Sequence, residues 1–232
     1  MNKSFTYNEF KQVGTDYSDT LNIESYDKKM QKSRDYKKEA EYILDKLDVP
    51  KNSSVLEIGT GTGHFAIEVS RYFKEVTAYD VSGKMLGYAK KKAETKKITN
   101  VKWINSGFLG LEAEEEFDAI VTKYAFHHLP DLWKYAAIKK MYNALKKDGR
   151  IFLADVIFSF DMDDYEENLN KWIEHTKEQF KDDKISEEVE VHIREEYSTF
   201  DWVIERMLTD TGFEFEIIAN DEFYKEYLCV KT

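Results

Sequence analysis

The sequence predicts an α/β fold in which a doubly wound, mostly parallel sheet of seven strands carries a helical cap insertion. The main observation is a regular alternation between residues 53 and 158. Short β-branched apolar runs there are followed by segments of helical period. Successive βαβ units of this kind form a parallel sheet with helices on both faces. The second observation is a pair of β-type runs, at 213–219 and 224–230, that close the chain.

Length and composition limit the class of protein. The chain has 232 residues, 42% hydrophobic and 15% aromatic, which is ample for one packed α/β domain over residues 1–232. No apolar run approaches the roughly 20 residues of a membrane span, and residues 1–9 lack the apolar segment of a signal peptide. A single cysteine, Cys229, excludes an internal disulfide and fits a reducing compartment. We therefore expect a cytoplasmic protein that does not contact membranes.

The charge balance also constrains the partners. With 34 basic and 45 acidic residues the formal charge is −11, which disfavours the counterion release that drives nucleic-acid binding. The lysine clusters within 90–97 and 139–147 have spacings typical of solvated helix faces. We expect no nucleic-acid partner, and the sequence leaves a homo-oligomer open.

The first predicted element is a helix before the first strand. Ala40, Ile43, Leu44 and Leu47 follow the i, i+3, i+4, i+7 spacing of one helix face, and Pro50 marks the end of the helix. The polar and aromatic residues 1–30 show no clear period.

The following elements alternate as βαβ units require. They are strand 53–58, helix 63–73, strand 75–80, helix 83–96, strand 101–105, strand 117–122, helix 131–146 ended by Asp148-Gly149, and strand 150–158. Residues 161–196 are acidic, aromatic and helix-compatible, and a further helix over 199–211 ends at Gly212. We interpret 159–198 as a helical cap and 1–37 as an N-terminal segment, both lying over the ligand cleft.

The turn after the first predicted strand contains three alternate glycines, Gly59, Gly61 and Gly63. Glycines permit positive φ and a close backbone approach, and the helix that follows points its free N–H groups at a bound ligand. A dinucleotide loop needs G-x-G-x-x-G, but His64 occupies its third glycine position. Glu57 at the strand end would repel a pyrophosphate and attract a sulfonium cation. The loop therefore favours S-adenosylmethionine over a nicotinamide cofactor.

This motif, Glu57-x-Gly59-x-Gly61-x-Gly63, resembles the first motif of class I S-adenosylmethionine-dependent methyltransferases. The likeness continues through ordered motifs over about residues 38–158. It implies a Rossmann-like methyltransferase fold, S-adenosylmethionine as cofactor, and methyl transfer to a small-molecule acceptor. The alternatives are a non-catalytic protein that binds S-adenosylmethionine or S-adenosylhomocysteine, and methylation of RNA or protein.

The resemblance also implies the cofactor contacts. Asp80 ends the second strand, where a ribose-binding acid is expected, although a helix N-cap is the structural alternative. Many relatives carry Gly-Asp after the third strand, with the Asp on the adenine amino group, whereas this chain carries Ser106-Gly107. We expect the cofactor to contact Glu57, Gly59, Thr60, Gly61, Gly63, Asp80, Val81, Met85, Gly107, Phe108, Thr122 and Lys123.

The loop after the fourth strand supplies the candidate catalytic residues Tyr124, His127 and His128. An aromatic ring attracts a sulfonium cation, and a neutral imidazole can accept the acceptor's proton. A packing or capping role is the alternative for each histidine.

Candidate substrate-binding residues lie in the two covering segments. Arg194 can hold a carboxylate or phosphate with Tyr197 close to it in the sequence, and Tyr17 of the N-terminal segment can close the cleft from the other side. A salt-bridged helix end is the alternative for the cap residues. We expect no metal, because the adjacent histidines do not share a helix face and the sequence has no cysteine cluster.

Overall fold

The computed structural model describes residues 5–11, 13–14, 20–114, 116–180 and 183–232. Its helices are α1 (Thr20–Ser33), α2 (Tyr36–Leu47), α3 (His64–Val69), α4 (Gly83–Thr95), α5 (Asp131–Ala144), α6 (Tyr165–Phe180), α7 (Asp183–Glu195) and α8 (Asp201–Thr211). Its strands are β1 (Ser54–Ile58), β2 (Glu75–Asp80), β3 (Val101–Asn105), β4 (Phe117–Lys123), β5 (Leu145–Phe158), β6 (Thr199–Phe200), β7 (Phe213–Asn220) and β8 (Tyr224–Lys231). Short 3-10 turns cover Phe126–His128 and Met162–Asp164. In this described part of the chain, no helix is long and apolar enough to cross a membrane.

The described strands form a sheet in the order β3-β2-β1-β4-β5-β8-β7, with β6 paired to β5. β1 runs parallel to β2 and to β4, while β8 is antiparallel to both β5 and β7. This arrangement confirms the predicted α/β class, the mostly parallel sheet and the antiparallel closing pair.

Alternation along β5 explains why helices cover both faces of the sheet. Ile151 and Leu153 belong to one buried cluster, with residues of α5 and α8, whereas Phe152 and Ala154 belong to another, with residues of α2 and α3. A strand buried on both faces reads as a continuous apolar run, because neither set of side chains meets water. Cys229 of β8 is fully buried, and this burial raises the pKa of its thiol.

Three predicted boundaries are wrong. The helix predicted over 63–73 ends at Val69, and the helix predicted over 131–146 ends at Ala144. Leu145 is fully buried and pairs with Phe117 of β4, so β5 begins there and not at residue 150. Asp148, expected to end the helix, lies inside β5 with a positive φ of 61°.

α1 was not predicted, because its buried face does not show a clean apolar period. Ile23 is buried as expected for a packing residue, but Asp27, one turn later, is also buried. The Asp27 carboxylate lies 2.6 Å from His64 Nε2 and accepts a hydrogen bond from Lys92 Nζ at 2.9 Å. Polar contacts therefore attach α1 to α3 and α4, and a search for hydrophobic periodicity overlooks them.

We predict that Asp27→Asn lowers the free energy of unfolding by about 1.5–3 kcal/mol near neutral pH, the range for hydrogen bonds to a charged group. Burial opposes ionisation, but the bonds from His64 and Lys92 hold the pKa of Asp27 well below its usual range. Because the pKa is depressed, ionised Asp27 stabilises the fold above the unfolded-state pKa of about 3.9. This contribution to stability is lost progressively as the pH falls below that value. Urea unfolding of both proteins should show a gap above about pH 5 that narrows towards pH 3. Equal stability at pH 7 would contradict the prediction.

Candidate active site

A cleft of about 940 Å³ lies at the carboxyl end of the parallel strands. The strand order reverses between β1 and β4, and ligands of open α/β sheets bind at such a point. The predicted site residues that line the cleft are Glu57, Gly59, Thr60, Gly61, Asp80, Val81, Met85, Gly107, Phe108, Lys123, Tyr124 and His128. The structure thus brings together residues from four strand ends, and their individual roles remain predictions.

The glycine loop adopts a backbone that other residues disfavour. Gly59, Gly61 and Gly63 have φ of 81°, 53° and 75°, all in the left-handed region. A Cβ on Gly59 would overlap the Cβ of Ala125, whereas no described atom lies within 4 Å of the Cβ position at Gly61. Gly59 therefore lets two loops pass each other, and Gly61 leaves its space open.

Glu57 supports this loop from below. Its Oε2 accepts a hydrogen bond from Thr60 Oγ1 at 2.6 Å and another from the Ala66 amide at 3.1 Å. Burial raises the pKa of Glu57 to about 7, and the nearby Asp80 adds to the effect. Since a neighbouring cation would favour ionisation, this carboxyl is suited to a positively charged ligand.

Asp80 holds the backbone of two segments that line the cleft. Its Oδ2 accepts from the Gly61 amide at 2.7 Å, and its Oδ1 accepts from the Ser82 amide at 2.8 Å. Ser82, and not Asp80, caps α4, because its hydroxyl accepts from the Met85 amide. Each carboxylate oxygen of Asp80 retains a lone pair for a further donor.

Glu9 is a cleft residue that the sequence analysis missed. Its Oε1 accepts from the Leu109 amide at 2.8 Å, and its Oε2 lies 2.5 Å from the position that a Cβ on Gly107 would take. Burial raises the pKa of this carboxyl, although backbone hydrogen bonds from 108–110 oppose the rise. Glu9 therefore fills the space that a side chain at position 107 would occupy. No local pattern marks it, because its partner lies 100 residues away.

Arg34, Glu39 and Lys123 form a charged chain across another wall of the cleft. Arg34 binds Glu39 through two hydrogen bonds, of 2.5 and 3.0 Å, and Lys123 Nζ lies 2.9 Å from the same carboxylate. One carboxylate thus faces two cations, which leaves one positive charge in excess. The predicted N-terminal covering segment includes Arg34 and α1, but Glu39 was not among the predicted residues.

Tyr124 lines the cleft with a strained backbone. Its φ of 51° lies in the left-handed region, which is uncommon for a residue with a Cβ and clusters at functional sites. The ring stacks on Tyr224 at 5.4 Å, and Arg34 and Lys123 lie 5.5 and 5.6 Å from its centroid. Because two cations already lie near this ring, they compete with the predicted sulfonium contact.

The two adjacent histidines lie in different surroundings. His128 lines the cleft, and its pKa falls to about 4 because it is buried and lies beside His127. The His127 side chain lies outside the cleft lining, with its Nδ1 2.5 Å from Asp155 Oδ1. Burial alone would lower the pKa of His127, but the charges of Asp155 and Glu196 outweigh it and raise the pKa.

Asp155, buried at the end of β5, fixes the loop that carries these histidines. Its Oδ2 accepts from three consecutive amides, those of Ala125, Phe126 and His127, at 3.1, 2.7 and 3.3 Å. The 3-10 turn over Phe126–His128 is therefore held by one carboxylate.

Two of the predicted cofactor contacts, Thr122 and Gly63, are not among the residues that line the cleft. Thr122 is fully buried, because successive side chains of a strand point to opposite faces and its neighbours Val121 and Lys123 line the cleft. Gly63 lies against Trp103 and Ala89, below the loop. Tyr17 falls outside the described residues.

The two predicted substrate residues of the cap also lie elsewhere. The side chain of Arg194 is 61% exposed, pairs with Glu195, and borders a smaller cavity between α6 and α7. Tyr197 packs edge-on against Tyr7, and its amide donates to the His127 carbonyl. From the cap, Glu188 of α7 lines the cleft instead.

Comparison with other proteins identifies the family of this chain. A family model for a methyltransferase domain matches residues 55–149. An uncharacterized methyltransferase from Bacillus cereus (strain ATCC 14579) is 30% identical over 184 residues, covering 79% of this chain and 80% of the relative. The chain belongs to the class I methyltransferases. It is therefore an enzyme of this family, and the glycine loop described above lies within the matched residues.

Two further similarities extend over nearly the whole methyltransferase. An uncharacterized methyltransferase from Staphylococcus carnosus (strain TM300) is 28% identical over 214 residues, covering 92% of this chain and 93% of the relative. The crystal structure of a putative S-adenosyl-L-methionine-dependent methyltransferase from Methanococcus maripaludis has a TM-score of 0.65 at 18% identity. The match covers 96% of this chain and 97% of that chain. This match to the Methanococcus maripaludis structure shows a shared fold.

We predict different outcomes for alanine at two neighbouring loop glycines. Gly59→Ala should lower the free energy of unfolding by about 2–4 kcal/mol, because it adds a clash with Ala125 to the cost of a left-handed alanine. Gly61→Ala, with open space around its Cβ position, should cost only about 1 kcal/mol. Urea denaturation of both variants measures the difference. Equal losses would mean that the contact with Ala125 does not constrain the loop.

Proposed function

We propose that this methyltransferase transfers the methyl group of S-adenosylmethionine to a small-molecule acceptor. The observation that carries the proposal is the enclosure of the cleft. Besides the strand-end loops, its lining includes Glu9 from the N-terminal segment, Met30 of α1 and Glu188 of α7. A cleft lined by these segments suits a compact acceptor better than a folded RNA or protein.

The residues of the cleft fit the cofactor. Gly61 has open space at the position of its absent Cβ, and Asp80 beside it has oxygens that can accept from both ribose hydroxyls. Val81 and Met85 offer apolar surface to a flat base. Glu57 and the Arg34–Glu39–Lys123 chain offer charges of both signs, as a ligand with an ammonium and a carboxylate group requires.

Glu9 supplies a carboxylate at the place where Gly107 has no side chain. The family resemblance implies that an aspartate at position 107 would accept from the adenine amino group, and here the carboxylate of Glu9 occupies the corresponding space. We propose that Glu9 Oε2 accepts from that amino group while its Oε1 stays on the Leu109 amide.

When bound, S-adenosylmethionine supplies a methyl group on positively charged sulfur, which is already activated for displacement. The protein therefore has to align the acceptor and exclude water. Asp155 fixes the loop of Tyr124 and His128 at the wall of the cleft, and the covering segments limit access of solvent. His128 and Tyr124 remain our predicted catalytic residues at this wall.

The proposal is tested by transfer from methyl-labelled S-adenosylmethionine to separated fractions of small molecules, RNA and protein. Label in the small-molecule fraction supports it. Label in RNA or protein would refute the acceptor class, and binding without transfer to any fraction would refute the proposed reaction.

We predict that Asp80→Asn weakens binding of S-adenosylhomocysteine by about 10- to 100-fold, as expected for the loss of hydrogen bonds to a charged group. Asp118→Asn is the matched control, because Asp118 also accepts from a backbone amide, that of Ser54, but lies away from the cleft. Calorimetric titration should show the loss for Asp80→Asn alone. Unchanged affinity in that variant would contradict the ribose assignment.

We predict that Glu9→Gln changes base selectivity. The wild type should prefer S-adenosylhomocysteine to S-inosylhomocysteine, whose 6-oxo group cannot donate to a carboxylate, by about tenfold or more. The glutamine amide can donate to this oxo group, so the preference should narrow or invert. Glu41→Gln, on the exposed side of α2, is the control. Unaltered selectivity in Glu9→Gln would show that Glu9 does not contact the base.

A further inference from the structure

Three side chains with metal-binding atoms converge beside the cleft. The side chains are those of His127, His192 and Glu196, and each has one ligand atom within 4.8 Å of the other two. Glu196 Oε2 lies 3.2 Å from His127 Nε2 and 2.5 Å from His192 Nδ1. All three side chains are at most 11% exposed. The group does not use the adjacent pair His127 and His128; it combines His127 with His192 from another element.

The remaining nitrogen of each imidazole has a partner that orients the ring. His127 Nδ1 bonds to Asp155, and His192 Nε2 lies 2.7 Å from Ser198 Oγ. Metal-binding histidines almost always use their second nitrogen in this way, which fixes the tautomer and the ring plane. The other nitrogen of each ring lies against the same carboxylate oxygen, Glu196 Oε2.

We propose that His127, His192 and Glu196 bind one divalent transition-metal ion of the zinc type. Two imidazoles and one carboxylate are a common three-residue ligand set for such ions, with water in the fourth position. A tetrahedral site with bonds near 2.0–2.2 Å needs ligand atoms about 3.3 Å apart. His127 Nε2 and Glu196 Oε2 already have about that separation, His192 Nδ1 lies somewhat closer to Glu196 Oε2, and all three atoms lie within 4.8 Å of one another.

The local charge balance fits a divalent cation. Asp155 and Glu196 bring two negative charges to this buried group, and Lys134 nearby is paired with Asp131 at 2.9 Å. A doubly charged ion with two neutral imidazoles would neutralise both carboxylates. Buried charges are costly unless paired or bound to metal.

The site would join α7 to the turn after β4 that carries His127. His192 lies in the last turn of α7 with Glu196 just beyond it, and His127 lies in the turn after β4, next to the cleft residue His128. The ion would thereby fix the position of α7, which carries the cleft residue Glu188. It is a structural clamp next to the cleft and does not depend on the proposed methyl acceptor.

The test is metal binding by the 232-residue chain after treatment with a chelator and dialysis. Calorimetric titration with ZnCl₂ should show one equivalent bound, mass spectrometry of the desalted complex should find one zinc per chain, and the melting temperature should rise with added zinc. His192→Gln should abolish stoichiometric binding. Ser198→Ala should weaken binding by about 10- to 100-fold, as for other outer-shell partners. His175→Gln, at an exposed histidine of α6, is the control and should bind as the wild type does.

A spectroscopic measurement covers the case in which the variants fold poorly. Co²⁺ added to the chelator-treated wild type should give the visible absorption of a four-coordinate site that saturates at one equivalent. Absence of both stoichiometric zinc and this absorption would overturn the proposal. It would also be overturned if well-folded His192→Gln bound zinc as tightly as His175→Gln.

Discussion

Three buried carboxylates at the carboxyl edge of the sheet hold the loops that form the site. Glu57 of β1 accepts from the Ala66 amide, and Asp80 at the end of β2 accepts from two amides. Asp155 of β5 accepts from three. Loops that run beside a buried sheet edge expose amides that need partners, and ionised carboxylates are the strongest acceptors available. The positions of the glycine loop and the histidine turn both follow from these bonds.

The same carboxylates determine the electrostatics of the cleft. Burial raises the pKa values of Glu57 and Asp80, whereas His127 lowers that of Asp155 despite complete burial. Glu57 and Asp80 therefore gain from a cationic ligand, because it supplies the favourable charge that burial removes. The carboxylate of Asp155 is already paired with His127, and its other contacts are hydrogen bonds from backbone amides.

The segments outside the central sheet complete the site through charged and polar contacts. Asp27 fastens α1 to α3 and α4, Glu9 lies against Gly107, and Glu196 reaches the histidine turn from the end of α7. Such contacts are directional, so they place a covering segment more specifically than apolar packing does. The proposed small-molecule acceptor and the proposed metal both depend on this covering layer.

Local signals in the sequence determined the central fold and the loops at the carboxyl ends of its strands. Apolar period and turn residues predicted β1 to β5 and their helices, and the alternate glycines with Glu57 and Asp80 predicted where the cleft lies. A strict period of two would also have shown that Thr122 and Lys123 do not both face the cleft. The tertiary structure alone decided the roles open to Glu9, Glu39 and the His127–His192–Glu196 group. Their partners lie far away in the chain, and a polar contact between distant residues leaves no periodic trace in the sequence.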